Sequence, residues 1–258
     1  MKSSLKDIEY LVGDRNFKNT ISIPYNEKIC EFISIFSKEL LTHKQSSEFP
    51  DLKTLGFWCR KKNILSLKQN FESQKLRTSI GLIFHITPSN IPTNFAYSLL
   101  FGLLTGNSNV VKVPSKKFEQ ITIICSVIKK ILNKKLFSSL KNSITIIRYK
   151  DNDDFTKYLS LQCDGRLIWG GDSSVKNIRK FRIKNEAIDI AFTDKFSFCA
   201  IDAKKFLKLK KNESNRLFER FYNDTYLVDQ NACSSPHLII WLNDRSFKAR
   251  NFFWKNLN

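Results

Sequence analysis

A single cysteine, Cys233, stands between a polar turn and an apolar run in the segment VDQNACSSPHLII, residues 228–240. As a thiolate it could attack a carbonyl carbon and carry an acyl group, because a thiolate is a good nucleophile and also a good leaving group. It could instead be a small apolar side chain in a core, which is the commoner role of an isolated cysteine. The segment alone is compatible with both roles, so the rest of the chain must decide.

The six cysteines are widely separated: Cys30, Cys59, Cys125, Cys163, Cys199 and Cys233. None forms a CxxC pair or has the Cys/His spacing of a zinc site. The sequence therefore predicts no metal site and no disulfide framework, and it indicates a reducing compartment. Residues 1–14 lack the apolar segment of a signal peptide, and the longest apolar stretch, residues 95–106, is too short to span a bilayer. We therefore expect a cytoplasmic protein without a membrane span.

The chain carries 43 Lys and Arg residues against 24 Asp and Glu residues, a net charge of +19. This indicates an anionic partner, which could be nucleic acid, a membrane surface or a phosphate-rich small molecule. An A/T-rich genome is the alternative source of the abundant lysine. No nucleic-acid recognition motif accompanies the charge, so we predict no nucleic-acid partner; a basic protein with salt-dependent nucleic-acid binding stays as an alternative. The basic run at residues 204–211 is expected to be a solvated helix face.

From residue 80 onward, short apolar runs alternate with helical periodicity. The runs expected to be strands are residues 80–86, 109–113, 143–148, 166–169 and 188–190. Because parallel neighbours need crossover helices, this alternation predicts a doubly wound parallel α/β sheet. His85, in the first run, is expected to be a hydrogen-bonded core histidine. Upstream, residues 26–42 place apolar side chains three and four positions apart, which predicts an amphipathic helix.

The chain has only eight glycines and no GxGxxG dinucleotide motif. Gly170 and Gly171 fall where the fourth predicted strand turns into a helix, and backbone N–H groups at such a point can bind a phosphate. A glycine pair there can equally serve the turn alone. Lys112, shortly before Pro114, is either a binding residue or a solvated charge.

Several motifs together, and in the same order, resemble those of the aldehyde dehydrogenase superfamily. They are HITPSNIPTNFAYSLLFGLLTGNSNVVKVPSK, LIWGGDSSVKNIRK, FSFCAID and VDQNACSSPHLIIW. The resemblance is strongest to the acyl-CoA reductase branch, the LuxC family of bacterial bioluminescence, and FPDLKTLGFWCRKKNILSLK also resembles that branch. It covers nearly the whole chain. It implies an aldehyde-dehydrogenase-like fold with an N-terminal helical segment (1–78), a Rossmann-like NAD(P)-binding domain (79–195) and the beginning of an α/β catalytic domain (196–258).

The resemblance assigns catalytic roles to two residues. Cys233 matches the nucleophilic cysteine, and Asn90, in the turn PSNIP, matches the asparagine whose side chain stabilises the oxyanion. Many hydrolytic aldehyde dehydrogenases carry a water-activating glutamate at about the position of Ala191. Its replacement suits an enzyme that transfers acyl groups without hydrolysing them. His237, four residues after the cysteine, is expected to be structural.

The resemblance also implies a nicotinamide cofactor site. The residues that match its adenosine-ribose strand and its pyrophosphate turn are Lys112, Pro114, Ser115, Gly170, Gly171 and Asp172. One extra residue, Val113, separates the lysine from the proline. Lys116 replaces the acid that often binds both ribose hydroxyls, and a cation there suits the 2′-phosphate of NADP. The alternative is that Lys116 and Lys117 are merely solvated. The expected cofactor is NADP, as NADPH, with no metal.

The implied activity is NADPH-dependent reduction of a long-chain fatty acyl thioester, an acyl-CoA or acyl-protein, to the fatty aldehyde through a Cys233 acyl-enzyme. An acyl-protein synthetase or an acyl-transferase is the implied partner. Family members continue beyond the strand HLIIW and its following helix with most of the catalytic domain and an oligomerisation segment. We therefore expect a C-terminally truncated chain without that segment. An inactive remnant of such a reductase stays as an alternative.

Overall fold

The computed structural model describes residues 8–71, 77–150, 152–226, 229–245 and 247–257. Residues 1–7, on which the predicted absence of a signal peptide partly rests, and Val228 of the cysteine segment lie outside this description. The chain divides into two compact units, Met1–Thr193 and Asp194–Asn258. The first unit has two hydrophobic cores and the second unit has one.

The described residues of the first unit form a six-stranded sheet. Its strands are β1 (Glu9–Val12), β2 (Leu82–Ile86), β3 (Ser108–Val113), β4 (Ile144–Arg148), β5 (Gly165–Trp169) and β6 (Ile188–Phe192). The strand order is β1-β4-β3-β2-β5-β6, and all neighbours are parallel except β1, which is antiparallel to β4. The chain thus builds outward from β2 through β3 and β4 on one side, and then adds β5 and β6 on the other.

All five predicted strands are present, so the doubly wound parallel sheet is confirmed. The edge strand β1 was not predicted. It has only four residues, and its side chains are partly exposed, whereas every residue of β2 is buried. β1 therefore lacks the continuous apolar run that identifies the central strands of a parallel sheet.

Helices cover both faces of this sheet. The α-helices in the described part of the unit are α1 (Glu27–Thr42), α2 (Pro50–Trp58), α3 (Lys61–Phe71), α4 (Asn94–Leu104), α5 (Glu119–Leu132), α6 (Asp153–Gln162) and α7 (Asp172–Arg179). Residues of α1, α2, α4 and α5 share one core, and residues of α6 and α7 share the other. The predicted core positions of α1 are all buried, which confirms its amphipathic character: Ile29, Phe32, Ile33, Phe36 and Leu40. The domain boundaries after residues 78 and 195 stay a prediction, since a compact unit need not coincide with a ligand-defined domain.

A buried arginine ties β5 to the edge strand β6. The side chain of Arg166 is 2% exposed, and its Nε and Nη2 atoms donate to the two carboxylate oxygens of Asp189, at 3.1 and 2.9 Å. Its Nη1 atom donates to Ser160 Oγ and to the carbonyl oxygens of Ile178 and Phe181. All three guanidinium nitrogens therefore have acceptors, which offsets the cost of burying the charge.

We expect Arg166→Ala to lower the free energy of unfolding by about 3–5 kcal/mol, because it leaves the mostly buried Asp189 carboxylate without its two-pronged partner. Urea denaturation followed by circular dichroism measures this loss. Arg179 also contacts Asp189, at 3.4 Å, but its side chain is half exposed. Arg179→Ala is therefore the matched control, with an expected loss below about 1 kcal/mol. Equal losses in the two variants would contradict the role given to Arg166.

The second unit is built on two parallel strands, β7 (Ser197–Asp202) and β8 (Pro236–Leu242). Its described α-helices are α8 (Ala203–Phe206), α9 (Lys211–Thr225) and α10 (Lys248–Asn256). One face of the strand pair packs on these helices through Ile201, Ile239 and Trp241. The other face exposes apolar side chains: Phe198, Leu238, Ile240 and Leu242. The predicted strand HLIIW and the predicted C-terminal helix are confirmed by β8 and α10.

We predicted that the basic run at residues 204–211 forms one solvated helix face, and it does not. It spans α8, a turn and the first residue of α9. Phe206 lies within the run and is buried in the core of the unit. The prediction was wrong because the lysines flank Phe206, a buried apolar residue at the end of α8.

Candidate active site

The carboxyl ends of β3, β2 and β5 lie side by side, because Ile86 at the end of β2 pairs with both Lys112 and Ile168. The direction of sheet building reverses between β2 and β5, and open parallel sheets bind ligands in the crevice at such a point. The predicted site segments of the first unit all follow these strand ends: Asn90 after β2, residues 112–116 at the end of β3, and residues 170–172 after β5. The structure therefore brings them to one edge of the sheet.

The loop that carries Asn90 is anchored on both sides. Thr87 donates from its backbone N–H and from its hydroxyl to the carbonyl oxygen of Lys112, at 3.1 and 2.9 Å. The backbone N–H of Asn94, at the start of α4, donates to the carbonyl oxygen of Ile91. Asn90 lies between these anchors and is exposed. Its side chain is thus accessible at the same edge as the other candidate residues.

A buried hydrogen-bond network lies in the strands beneath this loop. His85 Nε2 is 2.9 Å from Asn109 Oδ1, and His85 Nδ1 is 2.8 Å from Ser98 Oγ. Because the Asn109 amide nitrogen donates to the Asn107 carbonyl oxygen, its Oδ1 atom is the acceptor and the imidazole proton lies on Nε2. Ser98 then donates to Nδ1 and accepts from Trp169 Nε1, at 3.1 Å. This confirms the predicted core histidine and links β2, β3, α4 and β5.

Burial lowers the pKa of His85 from 6.5 to about 4, so the ring is neutral in the folded protein. The unfolded chain therefore binds one more proton than the folded chain between these two pKa values, and stability falls as the pH drops through that window. We expect a loss of about 2 kcal/mol of unfolding free energy between pH 7 and pH 5. Urea denaturation at both pH values measures it, and His43→Gln should show the same loss. An NMR titration in which the His85 ring becomes protonated near pH 6.5 would contradict this prediction.

The glycine turn leaves open space at the start of α7. Gly171 is the N-cap of this helix with φ −63°, a value that any residue adopts. A side chain built at Gly170 would make only an ordinary 3.5 Å contact with Ser174. The backbone angle at Gly171 and the packing around Gly170 would thus each accept a side chain. The absent side chains instead suit close approach of a phosphate to the helix N-terminus, where Asp172 is the first residue.

The end of β3 carries lysine side chains and leads into a turn whose Pro114 carbonyl oxygen accepts a hydrogen bond. Lys112 is half-buried, with its ammonium 4.8 Å from the centre of the Tyr149 ring. The carbonyl oxygen of Pro114 accepts a hydrogen bond from Arg148 Nε at 3.2 Å. Ser115 and Lys116 follow and are exposed. This segment therefore offers a positive, polar surface that fits an anionic, hydroxyl-bearing cofactor.

The candidate nucleophile lies in the second unit, in the loop between α9 and β8. Cys233 is exposed, and its carbonyl oxygen accepts a hydrogen bond from Ser197 Oγ at 2.7 Å. The buried Ser235 holds the loop from the other side, by donating to the carbonyl oxygen of Asp224 at 2.7 Å. Asp229 and Gln230 adopt left-handed backbone conformations, with φ 50° and 59°, which is a cost that ordered functional loops often carry.

All six cysteines lie in the described residues, and Cys233 alone is exposed. The interpretation of Cys233 as a small core side chain is therefore wrong. Burial raises the pKa of the Cys125 thiol to about 12 and of the Cys163 thiol to about 11, and it also raises the pKa of Cys59. Cys163 is a buried core residue, whereas Cys199 is half-buried in β7. A thiolate is therefore disfavoured at these three buried thiols.

A sequence model of the family described as acyl-CoA reductase (LuxC) matches residues 17–254. The chain belongs to this family. The resemblance found in the motifs is thereby confirmed. No curated protein matches the sequence.

Solved structures similar to this family member are aldehyde dehydrogenases and related oxidoreductases. A variant of an aldehyde dehydrogenase from Bacillus cereus aligns at TM-score 0.64 and 11% identity over 91% of this chain and 51% of its own. An oxidoreductase from Marinobacter aquaeolei aligns at TM-score 0.65 and 11% identity over 93% and 52%. PnpE in complex with nicotinamide adenine dinucleotide aligns at TM-score 0.61 and 12% identity over 88% and 49%. These confirm the aldehyde-dehydrogenase-like fold, and the chain spans about half the length of the structures it matches.

The remaining candidate residues of this family member are placed as follows. His237 is exposed in β8, and its ring lies edge-on to Phe196. Ala191 lies in β6, half-buried against the second core of the first unit. Asn90 belongs to the first unit and Cys233 to the second, so their convergence on one cleft stays a prediction. Arg148, a basic residue that ends the apolar strand β4, was not among the predicted site residues.

Among the described residues, no group of three or more His, Cys, Asp or Glu side chains is placed to hold a metal ion. No described helix is both long enough and apolar enough to cross a membrane.

Proposed function

We propose that this chain takes part in the NADPH-dependent reduction of a long-chain fatty acyl thioester, acyl-CoA or acyl-protein, to the fatty aldehyde. The observation that carries the proposal is the single exposed thiol, Cys233, in an anchored loop. Membership of the acyl-CoA reductase family supports the reaction class. The chain spans about half the length of the matched structures, so its activity, its substrate and its partners are all proposed.

The first step is acyl transfer to the enzyme. The Cys233 thiolate attacks the carbonyl carbon of the thioester, and the carbonyl oxygen becomes an oxyanion. The side-chain amide of Asn90 and the backbone N–H of Cys233 donate hydrogen bonds to that oxygen. The bond to the coenzyme A sulfur then breaks, and its thiolate leaves with the electron pair. Asn90 and Cys233 must face one cleft for this step.

The second step reduces the acyl group held on Cys233. A nicotinamide cofactor held by the crevice residues would supply the hydride, a proton with two electrons, to the acyl carbon. The oxygen of the resulting thiohemiacetal is first held as an oxyanion by the same two donors. As its carbonyl re-forms, the bond to Cys233 breaks, which releases the aldehyde and returns the thiolate. Ala191 offers no carboxylate to activate water, so the acyl group is spared from hydrolysis.

The cofactor would lie at the crevice between β2 and β5. Lys112, Pro114 and Ser115 would meet the adenosine ribose, while Gly170, Gly171 and Asp172 would meet the pyrophosphate at the N-terminus of α7. The exposed cation of Lys116 supports NADP over NAD, since it would neutralise a 2′-phosphate. The similar structure PnpE was solved with nicotinamide adenine dinucleotide, which supports a nicotinamide cofactor in general.

The proposal extends to the setting of the reaction. An acyl-protein synthetase or an acyl-transferase would supply the acyl group, and the reaction would take place in the cytoplasm. We propose no nucleic-acid partner, because no recognition motif accompanies the net charge of +19.

The direct test is product formation. The purified chain is incubated with NADPH and a long-chain acyl-CoA, and the organic extract is analysed for the aldehyde by mass spectrometry. We expect the aldehyde and an equal amount of oxidised NADPH, and less product when NADH replaces NADPH. Absence of both aldehyde and NADPH oxidation would contradict activity of this chain and support the inactive-remnant alternative. Equal rates with NADH would contradict only the preference for NADP.

A further inference from the structure

An almost fully buried arginine lies at the carboxyl end of the sheet, next to the candidate cofactor crevice. Arg148 is the last residue of β4, and it pairs in register with Val113, the last residue of β3. Its side chain is 8% exposed. It therefore stands directly beside the point where the chain leaves β3 for the turn at Pro114 and Ser115.

Two of the three guanidinium nitrogens of Arg148 are engaged, one on each side. Nε donates to the carbonyl oxygen of Pro114 at 3.2 Å, and Nη1 donates to the Glu9 carboxylate at 2.9 Å. The third, Nη2, is buried and has no hydrogen-bond partner among the described residues. The guanidinium thus joins the added edge strand β1 to the turn after β3.

This arrangement is costly for a purely structural residue. A buried cation with an unsatisfied nitrogen pays a desolvation penalty, and an apolar side chain of similar volume is often equally stable or more stable. Glu9 is 51% exposed, so water can satisfy its carboxylate if the arginine is removed. The contrast with Arg166, whose three nitrogens all have acceptors, shows that this fold can compensate a buried guanidinium fully.

The turn at Pro114 receives a hydrogen bond from outside its own backbone. Proline has no backbone N–H, so the turn at Pro114 has one donor fewer with which to fix its own geometry. The bond from Arg148 holds the Pro114 carbonyl, and this orients the backbone of Ser115 and Lys116 that follows it. In the proposed function, these residues bind the adenosine ribose and its 2′-phosphate.

We propose that Arg148 is a positioning residue of the cofactor crevice: it fixes the Pro114 carbonyl, and thereby holds Ser115 and Lys116 in place to bind the adenosine end of the cofactor. That the ligand is a nicotinamide cofactor rests on the proposed function. That Arg148 fixes the turn rests only on its hydrogen bond to Pro114. Arg148 acts through the turn and makes no contact with reacting atoms.

The first measurement needs no cofactor. Limited trypsin digestion followed by mass spectrometry compares the rate of cleavage after Lys116 and Lys117, which are exposed, in wild type, Arg148→Met and Arg148→Lys. We expect cleavage at these two sites to be about tenfold faster in Arg148→Met, because the turn is no longer fixed, with partial rescue in Arg148→Lys, which can still donate to Pro114. Lys130→Met removes a cation from an exposed ion pair on α5 and should leave cleavage at this segment unchanged. Unchanged cleavage after Lys116 and Lys117 in Arg148→Met, or faster cleavage throughout the protein, would overturn the proposal.

The second measurement is the dissociation constant for NADPH, with the thermal midpoint of each variant recorded beside it. We expect about tenfold weaker binding in Arg148→Met at a nearly unchanged midpoint, and intermediate binding in Arg148→Lys. Wild-type binding in Arg148→Met would overturn the proposed effect on the cofactor. If wild type itself binds no NADPH, the cofactor part of the proposed function fails, while the trypsin measurement still decides the role of Arg148.

Discussion

Replacing Cys233 with alanine is expected to lower the rate of NADPH-dependent aldehyde formation by at least about a thousandfold, because removing a catalytic nucleophile costs on this order. The other cysteines offer no substitute. They are buried or half-buried, and burial raises the pKa of Cys59, Cys125 and Cys163. The rate is measured as NADPH oxidation and as aldehyde yield. Binding of NADPH should stay at the wild-type level, since the candidate cofactor residues lie in the first unit.

The matched control for this variant is Cys199→Ala. Cys199 is a half-buried cysteine in β7 of the same unit, so its loss tests whether any cysteine of the unit matters. We expect its rate to stay within about threefold of wild type, as for a substitution outside the reacting groups. A Cys233→Ala variant that keeps the wild-type rate would remove the acyl-enzyme from the mechanism.

Placing a side chain at Gly171 is expected to weaken NADPH binding by about 10- to 100-fold, because the added atoms keep the pyrophosphate from the backbone N–H groups of α7. The fold should tolerate Gly171→Val. Its φ of −63° suits any residue, and loss of a glycine N-cap costs about 1 kcal/mol or less. Isothermal titration with NADPH and a thermal scan therefore separate binding from stability.

Asn177→Ala is the control for the glycine variant, since Asn177 is exposed in the last turn of the same helix. It should bind NADPH as wild type does. If Gly171→Val also binds like wild type, the pyrophosphate does not lie at this turn. If the variant unfolds, Gly171→Ala repeats the test with a single added methyl group.

The parallel sheet could be predicted because its central strands are continuous apolar runs, and β2 shows this most clearly. The order of the strands in the sheet could not be predicted from the sequence patterns. That order places the ends of β2, β3 and β5 together, and with them Asn90, Pro114 and Gly170. It depends on pairings between strands far apart in the chain, which no local pattern encodes. The motifs therefore identified the candidate residues, but they did not predict that these residues lie close together.

The roles of single residues were predictable to different extents. His85 in an apolar strand was correctly expected to be hydrogen-bonded in the core. Arg148 was missed because its partners Glu9 and Pro114 are 139 and 34 residues away in the chain. Cys233 was ambiguous because a cysteine suits both a core and a reactive loop, and only its exposure in the folded chain separates the two.

The central claim is that Cys233 carries the acyl group. Its most direct test is mass spectrometry of the protein after incubation with a long-chain acyl-CoA in the absence of NADPH, followed by peptide mapping. We predict a mass increase of one acyl group, mapped to Cys233, absent in Cys233→Ala, and removed as the aldehyde when NADPH is added. An unmodified protein, or an acyl group attached at another residue, would contradict the account.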